Sequence, residues 1–249
     1  MAVINTSRDT SIDLLKFIGL SMIILAHVDI PGIVAQLRNF DVPLMVLLSG
    51  AAYGLSVRKD QSYLAYLFKR FERLALPVWI FLTTYFISLL ILSPDSKTLN
   101  TYTILTSYSF ISGIGYVWII RVFFLVALIA PLLYWLHTRR LNDITYLTII
   151  FVTYLLYEVT LHFTDLNSNW FGQFILFYLA PYAAVFAIGL RLIDLSKLLR
   201  HSLTLFCLTA FISFLIYHYK DTRELVSTQG YKYPPTASHL SYPLAISLI

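Results

Sequence analysis

Long runs of apolar residues, separated by short polar segments, dominate the pattern along the chain. A run of about 17–25 such residues is long enough to cross the hydrocarbon core of a bilayer as a helix. The pattern predicts an all-α, polytopic transmembrane helix bundle that forms a single domain over residues 1–249. The seven complete spans that it predicts are 11–30, 40–57, 74–92, 114–136, 144–162, 172–190 and 202–219. An eighth run begins near His239 and crosses only about half of the bilayer before Ile249.

The composition supports this interpretation. Hydrophobic residues make up 58% of the chain and charged residues 12%, whereas soluble domains carry about 25% charged residues. Charged residues are too few to cover a water-exposed surface. We therefore expect the apolar surface to face a lipid bilayer. The net charge is +5, but the cations alternate with the apolar runs, which argues against nucleic acid as a partner. The single Cys207 excludes a cysteine-based metal cluster, and we expect no metal site.

The distribution of cations between the loops predicts the orientation. An excess of Lys and Arg marks the cytoplasmic loops of a membrane protein. If the N-terminus is cytoplasmic, the inner segments carry eleven cations, which are Arg8, Arg58, Lys59, Lys69, Arg70, Arg73, Arg139, Arg140, Arg191, Lys197 and Arg200. The outer segments then carry five, which are Arg38, Lys97, Lys220, Arg223 and Lys232. The N-terminus is therefore predicted to be cytoplasmic. The outer segment 94–113 is polar and then apolar, which predicts an interfacial or re-entrant piece.

The first predicted span contains three ionisable residues, Asp13, Lys16 and His27. At 100° per residue, Lys16 and His27 lie about 20° apart around a helix, and Asp13 lies about 60° from Lys16. All three are thus predicted to face one side. The rise from Lys16 to His27 is about 16 Å, so the two side chains would contact the two ends of one extended ligand. Charges inside a span usually face protein or a water-filled cavity.

Four stretches of the chain resemble the integral-membrane acyltransferase-3 family. Lys16 and His27 match its (Arg/Lys)-x10-His signature, and residues 12–16 look like its first helix. Residues 42–50, which end in Ser-Gly, and residues 69–77, a basic loop entering the third helix, are similar to two further elements. Residues 231–235 resemble its Tyr/Lys–Pro-Pro element. The family usually has about ten membrane helices, so we expect this chain to be truncated at its C-terminal end.

The resemblance implies a membrane-bound O-acyltransferase. It would transfer an acyl group, commonly acetyl, from cytoplasmic acyl-CoA to a hydroxyl of a cell-envelope carbohydrate or lipid-linked sugar at the bacterial cell membrane. Acetyl-CoA would be a donor substrate, with no permanently bound cofactor. His27 would be the base, or would carry the acyl group covalently. Lys16 would bind the phosphates or the pantetheine amides of CoA, and Asp13 would hold that ammonium in place.

Other candidate residues follow from the same resemblance. Arg70 and Arg73, three residues apart, share a helix face and, with Lys69, would clamp the anionic nucleotide end of CoA. Arg121, near the outer end of the fourth span, would contact the acceptor or an acidic partner. Ser49 would be a hydrogen-bond donor to the substrate, and Gly50 would allow a close backbone approach.

Each of these residues also has a purely structural interpretation. His27 would be a hydrogen-bonded packing residue, Lys16 and Arg121 would extend to the interfaces, and Asp13 would cap its helix. The basic residues of the loop that enters the third helix would follow from the topology alone. Ser49 and its neighbouring glycine would form a packing notch.

Two other functions stay open at this point. Intramembrane ionisable residues also mark transport pathways, so the chain would alternatively be a transporter or exporter of a small anion or a sugar intermediate. It would also be an inactive, truncated acyltransferase. A requirement for acyl-CoA distinguishes an acyltransferase from an exporter, because only the acyltransferase consumes the thioester.

Overall fold

The computed structural model describes residues 10–56, 62–115, 117–165, 168–224 and 227–249. Within these ranges the regular elements are helices, and no strand is present. They are α1 (Thr10–Leu25), α2 (Gly32–Leu37), α3 (Asp41–Ser56), α4 (Tyr63–Leu92), α5 (Thr101–Tyr108), α6 (Val117–His137), α7 (Asp143–Phe163), α8 (Phe177–Arg191), α9 (Lys197–Thr222) and α10 (Ala237–Leu248). A π-helical turn, Gly172–Leu176, leads into α8, and a 3₁₀ turn, Thr228–Tyr231, precedes α10. Arg8, Arg58 and Lys59, which contribute to the predicted orientation, lie outside the described residues.

Five helices are long and apolar enough to cross a membrane: α4, α6, α7, the continuous helix Gly172–Arg191, and α9. Between 6% and 50% of their apolar windows is buried within the protein. Most of their large apolar side chains therefore face outward, where a bilayer would cover them. The all-helical membrane fold is confirmed. The count of seven spans is not confirmed, because α1 and α3 have 16 residues each and are about 24 Å long, whereas the hydrocarbon core is about 30 Å thick.

Helix α1 ends earlier than the apolar run predicts. It stops at Leu25, and the prediction of helix as far as residue 30 is wrong. Pro31 disfavours a helical conformation at Ile30, which excludes a helix that continues through this point. The helix ends five residues earlier, where its hydrogen bonds change. The Ala26 amide still bonds to the carbonyl of Met22, but the His27 amide bonds to that of Ile24, 3.0 Å away. His27 therefore lies in a turn just beyond the helix.

Helix α4 begins earlier than predicted. It starts at Tyr63, and the Ser62 side chain caps it by accepting a hydrogen bond from the Ala65 amide at 3.2 Å. The basic segment 69–77 is thus helical, and its prediction as a loop is wrong. Polar residues in the first turns conceal this extension from a search for apolar runs.

Helix α3 forms the centre of the bundle and packs against α1, α8 and α10. Its contact with α8 depends on two glycines. A Cβ added at Gly50 would lie 2.2 Å from the carbonyl oxygen of Phe186, and one added at Gly189 would lie 2.0 Å from that of Leu47. The two backbones are therefore in direct contact, as small residues allow in membrane helices.

A second apolar cluster joins the end of α4 to α5 and α6. The Trp79 indole donates to the carbonyl oxygen of Tyr108 at 3.0 Å and stacks on Phe110 with ring centroids 6.2 Å apart. Phe110 also contacts Phe124 of α6. This cluster fixes the segment between α4 and α6, which borders the candidate site.

Candidate functional site

An open cleft of about 530 Å³ lies at the end of the bundle where α1 ends and α6 begins. Its lining combines a histidine with hydroxyl, ammonium and glycine groups. These residues are His27, Tyr85, Lys97, Thr98, Thr103, Gly113, Ile114 and Gly115. They come from the turn after α1, from α4, from α5 and from the loops on either side of α5. The cleft therefore brings together parts of the chain up to 88 positions apart, from residue 27 to residue 115.

A hydrogen bond to the last turn of α1 orients the ring of His27. Its Nδ1 lies 2.7 Å from the carbonyl oxygen of Ile23. Because a carbonyl oxygen only accepts, Nδ1 carries the proton, and Nε2 of the neutral ring carries the lone pair. A histidine that acts as a general base through Nε2 needs this tautomer, in which a backbone carbonyl oxygen holds the Nδ1–H group. The residue is exposed, so solvent and ligands reach it.

One wall of the cleft is a tight loop packed on α5. Gly113 has φ +99°, and a Cβ there would lie 2.0 Å from the Ser107 Oγ and 2.9 Å from the Thr103 carbonyl oxygen. The same Ser107 hydroxyl donates to that carbonyl oxygen at 2.6 Å and accepts from the Ile114 amide at 3.1 Å. Only glycine fits at position 113 without displacing the wall.

Arg121 supports this loop from the other side. Its guanidinium donates to the carbonyl oxygen of Ile111 and lies over the rings of Tyr178 and Phe174, 4.3 and 5.2 Å from their centroids. The structure thus places Arg121 behind the wall that contains Gly113. It does not line the cleft.

Lys16 and Asp13 lie on α1, well below the cleft, and neither lines it. Each has contacts within the protein. The 3₁₀-like turn after Leu25 rotates His27 by up to about 40° relative to a continuous α-helix. The alignment of the three residues on one side is therefore poorer than in an ideal helix. The axial separation of Lys16 from His27 stays at about 16 Å.

Arg70, Arg73 and Lys69 all lie in the first three turns of α4. Arg70 is partly buried, with its guanidinium 5.5 Å from the centroid of the Tyr66 ring, whereas Lys69 and Arg73 are exposed. From Arg73 to Tyr85 in the cleft the helix rises about 18 Å. On α4, as on α1, the basic groups and the cleft are thus separated by about half the thickness of a membrane.

Ser49 lies on α3 and does not line the cleft. Its hydroxyl donates to the Met45 carbonyl oxygen of its own helix at 2.7 Å. The neighbouring Gly50 allows the close backbone approach that the sequence predicts, and the approaching group is α8.

Comparison with known proteins decides the family. A family model described as an acyltransferase domain matches residues 9–243, nearly the whole chain. The chain belongs to the acyltransferase-3 family. No curated protein and no solved structure matches it. As a member of this family the protein is an acyltransferase, and the matched region includes both Lys16 and His27.

The sequence interpretation of this acyltransferase missed most of the cleft. Tyr85, Lys97, Thr98 and Thr103 carry no recognisable motif. The sequence signals that could have pointed to them are the two glycines near residue 114 and the polar start of the segment 94–113. Among the described residues no group of three His, Cys, Asp or Glu side chains could hold a metal ion.

Substituting Ala for Gly113 is expected to lower the acyl-transfer rate of this family member about 10- to 100-fold. The new Cβ would force the wall away from Ser107, and a displacement of about 1 Å in a reactive site costs up to about 100-fold. Gly32→Ala is the matched control, because a Cβ there has open space around it and the residue does not line the cleft. Rates are measured in membranes with equal amounts of each variant. Equal rates for the two variants would contradict a role for the wall.

Proposed function

We propose that the protein transfers an acyl group, in the simplest case acetyl, from acyl-CoA to a hydroxyl of a cell-envelope carbohydrate, with His27 as the base. The single observation that carries this proposal is the bond from His27 Nδ1 to the Ile23 carbonyl oxygen at the edge of an open polar cleft. It leaves Nε2 as the basic nitrogen of the neutral ring. The family assignment supports acyl transfer as the reaction class.

The chemistry requires one proton to move twice. Nε2 takes the proton from a sugar hydroxyl as its oxygen attacks the thioester carbonyl. The carbon–sulfur bond then breaks, and the CoA thiolate takes the proton from the imidazolium. In the covalent alternative, Nε2 itself attacks the thioester, the carbon–sulfur bond breaks and the CoA thiolate leaves, which gives an acyl-imidazolium. The sugar hydroxyl then attacks the acyl carbon, the imidazole leaves, and the hydroxyl proton passes to the thiolate. Both routes give an O-acyl sugar and free CoA.

The donor would reach His27 from the level of the basic residues. Lys16 on α1, with Asp13 three residues away, and the first turns of α4 present cations about 16–18 Å below the cleft. Arg70, Arg73 and Lys69 suit the phosphates of the nucleotide end. The excess of cations in the predicted inner segments supports a cytoplasmic position for this level, in a bacterial inner or plasma membrane.

The acceptor would occupy the cleft. Its volume of about 530 Å³ lies within the range of roughly 300–1,000 Å³ that is typical of small-molecule sites. Hydroxyl groups of Thr98, Thr103 and Tyr85 match the donors and acceptors of a sugar, and Lys97 would bind an acidic substituent. Arg121 would act on the acceptor only through the wall.

The first test follows two labels of the donor. Membranes that contain the protein and membranes that lack it are incubated with CoA thioesters labelled either in the acetyl group or in the nucleotide. We expect acetyl label in the envelope polysaccharide, with one free thiol released per acetyl group transferred. The nucleotide label should stay in solution. Entry of either label into sealed vesicles without thiol release would instead indicate a transporter and contradict the proposal.

A further inference from the structure

A buried polar cluster lies at the same end of the bundle, between the start of α3 and the loop from α9 to α10. Lys232 and Arg38 are only 6% and 8% exposed, and Asp41 is 2% exposed. The Asp41 carboxylate is already engaged, since it accepts from Arg38 at 2.6 Å and from the Val42 amide at 2.8 Å. Two buried cations therefore share one carboxylate.

The ammonium of Lys232 rests on aromatic rings. Its Nζ lies 5.2 Å from the centroid of Trp118 and 5.8 Å from that of Tyr233. Within the described part of the chain no hydrogen bond from this ammonium is present. Burial and the nearby Arg38 lower the pKa of Lys232, whereas Asp41 opposes them. A buried ammonium without an anionic partner is costly.

Four buried polar atoms at this end of the bundle lack hydrogen-bond partners within the described residues, and two of them are donors. Among the described residues, the Arg38 Nε and the hydroxyl of Tyr182 are buried and have no hydrogen-bond partner. The other two, the Asn39 Oδ1 and the His239 Nε2, are acceptors, since the His239 Nδ1 faces the Thr228 carbonyl oxygen; both side chains are held by Thr228. The cluster thus presents one positive charge in excess, together with donors that an anion would satisfy.

A neighbouring carboxylate does not supply the missing charge. Glu158 of α7 reaches this end of the bundle, but its Oε1 accepts from the Ala237 amide and from the hydroxyl of Tyr154. It is not among the groups that act on Lys232.

The position of the cluster indicates which anion it meets. Trp118 is the second residue of the candidate span Val117–His137, so it lies at the level where a span ends. Trp and Tyr concentrate at this level, beside the lipid headgroups. Tyr233, which is 54% exposed, stands between the ammonium and the outside. A phosphate at the membrane surface would approach Lys232 past these rings.

We propose that the cluster around Lys232, Arg38 and Tyr182 is a binding site for a phosphate group presented at the membrane surface, distinct from the cleft of His27. Lys232 supplies the point charge, which suits phosphate without bidentate geometry. The site does not depend on the acyl-transfer reaction, so its test is a binding measurement and is independent of activity.

The experiment measures the Tm of the purified full chain in a maltoside detergent and a phosphate-free buffer. Three probes are added separately: dioctanoyl phosphatidylglycerol, dioctanoylglycerol and sodium phosphate at constant ionic strength. We expect phosphatidylglycerol to raise the Tm by about 5 °C near saturation, and dioctanoylglycerol, which lacks the phosphate, to have no effect. A rise with sodium phosphate as well would assign the site to soluble phosphate as much as to headgroups.

The variants separate the site from general lipid binding. Lys232→Gln should abolish the rise, Lys232→Arg should retain it, and Lys220→Gln, which alters an exposed lysine at the same end of the bundle, should behave as the parent. Without probe, Lys232→Gln should be as stable as the parent or more stable, since it removes an uncompensated buried charge. The proposal is overturned if the parent shows no rise, if dioctanoylglycerol acts as well as phosphatidylglycerol, or if Lys232→Gln responds like the parent.

Discussion

Replacing His27 with Asn is expected to lower acyl transfer by about 100- to 10,000-fold, the range typical of removing a general base. Asn is the informative choice, because its amide N–H can still donate to the Ile23 carbonyl oxygen that holds Nδ1 of the histidine. The local turn is thereby kept while the basic nitrogen is lost. The measurement is the initial rate of labelled acetyl transfer to envelope polysaccharide.

The control for this substitution is His201→Asn, which changes an exposed histidine at the start of α9 and should leave the rate unchanged. Mass spectrometry of the parent protein, quenched in acid during turnover, would distinguish the two routes, since only the covalent route places an acyl group on His27. A His27→Asn protein with more than about a tenth of the parental rate would remove His27 from the centre of the mechanism.

Replacing Gly50 with Ala is expected to destabilise the protein by about 3 kcal/mol or more, the upper end of the usual cost of overpacking a core. The added methyl group would lie 2.2 Å from a backbone carbonyl oxygen of α8, which has no rotamer by which to move away. The two helices must separate, and the tightly packed side chains of α3 lose contacts along with them. Thermal unfolding in detergent measures the loss.

Gly54→Ala, one turn further along α3, is the matched control. A Cβ at Gly54 would be 3.6 Å from the nearest atom, an ordinary contact, and Ala favours the helix by up to about 1 kcal/mol. Gly54→Ala should therefore leave the Tm equal or slightly higher. A similar Tm for the two variants would show that the α3–α8 contact is looser than the structure has it.

The hydrophobic pattern predicts a helix well where the ends of the helix match the ends of the apolar run. Helix α7 begins and ends within one residue of its prediction, and so does α3. The pattern fails where a helix leaves the apolar region, because it detects lipid-facing residues and not hydrogen bonds. The serine cap at residue 62 is a local signal that sets the true beginning of α4.

The candidate site divides in a similar way. His27 and Lys16 are found because their spacing matches a signature along one helix. Lys97 and Gly113 are not, since they reach the cleft only through the packing of α5 on α4. Lys232 looks like an ordinary loop cation in the sequence, and its burial against Trp118 follows from contacts between residues more than 100 positions apart.

The length of α4 has a mechanical consequence. With 30 residues it is about 45 Å long, roughly 15 Å more than a hydrocarbon core. The surplus of about ten residues corresponds to its basic beginning, from Tyr63 to Arg73. These cations therefore lie on a continuous helix, which fixes their spacing and their distance from the membrane, as a flexible coil would not. Binding of an anion there costs the protein little conformational entropy, because the helix has already fixed the backbone positions of the charged residues.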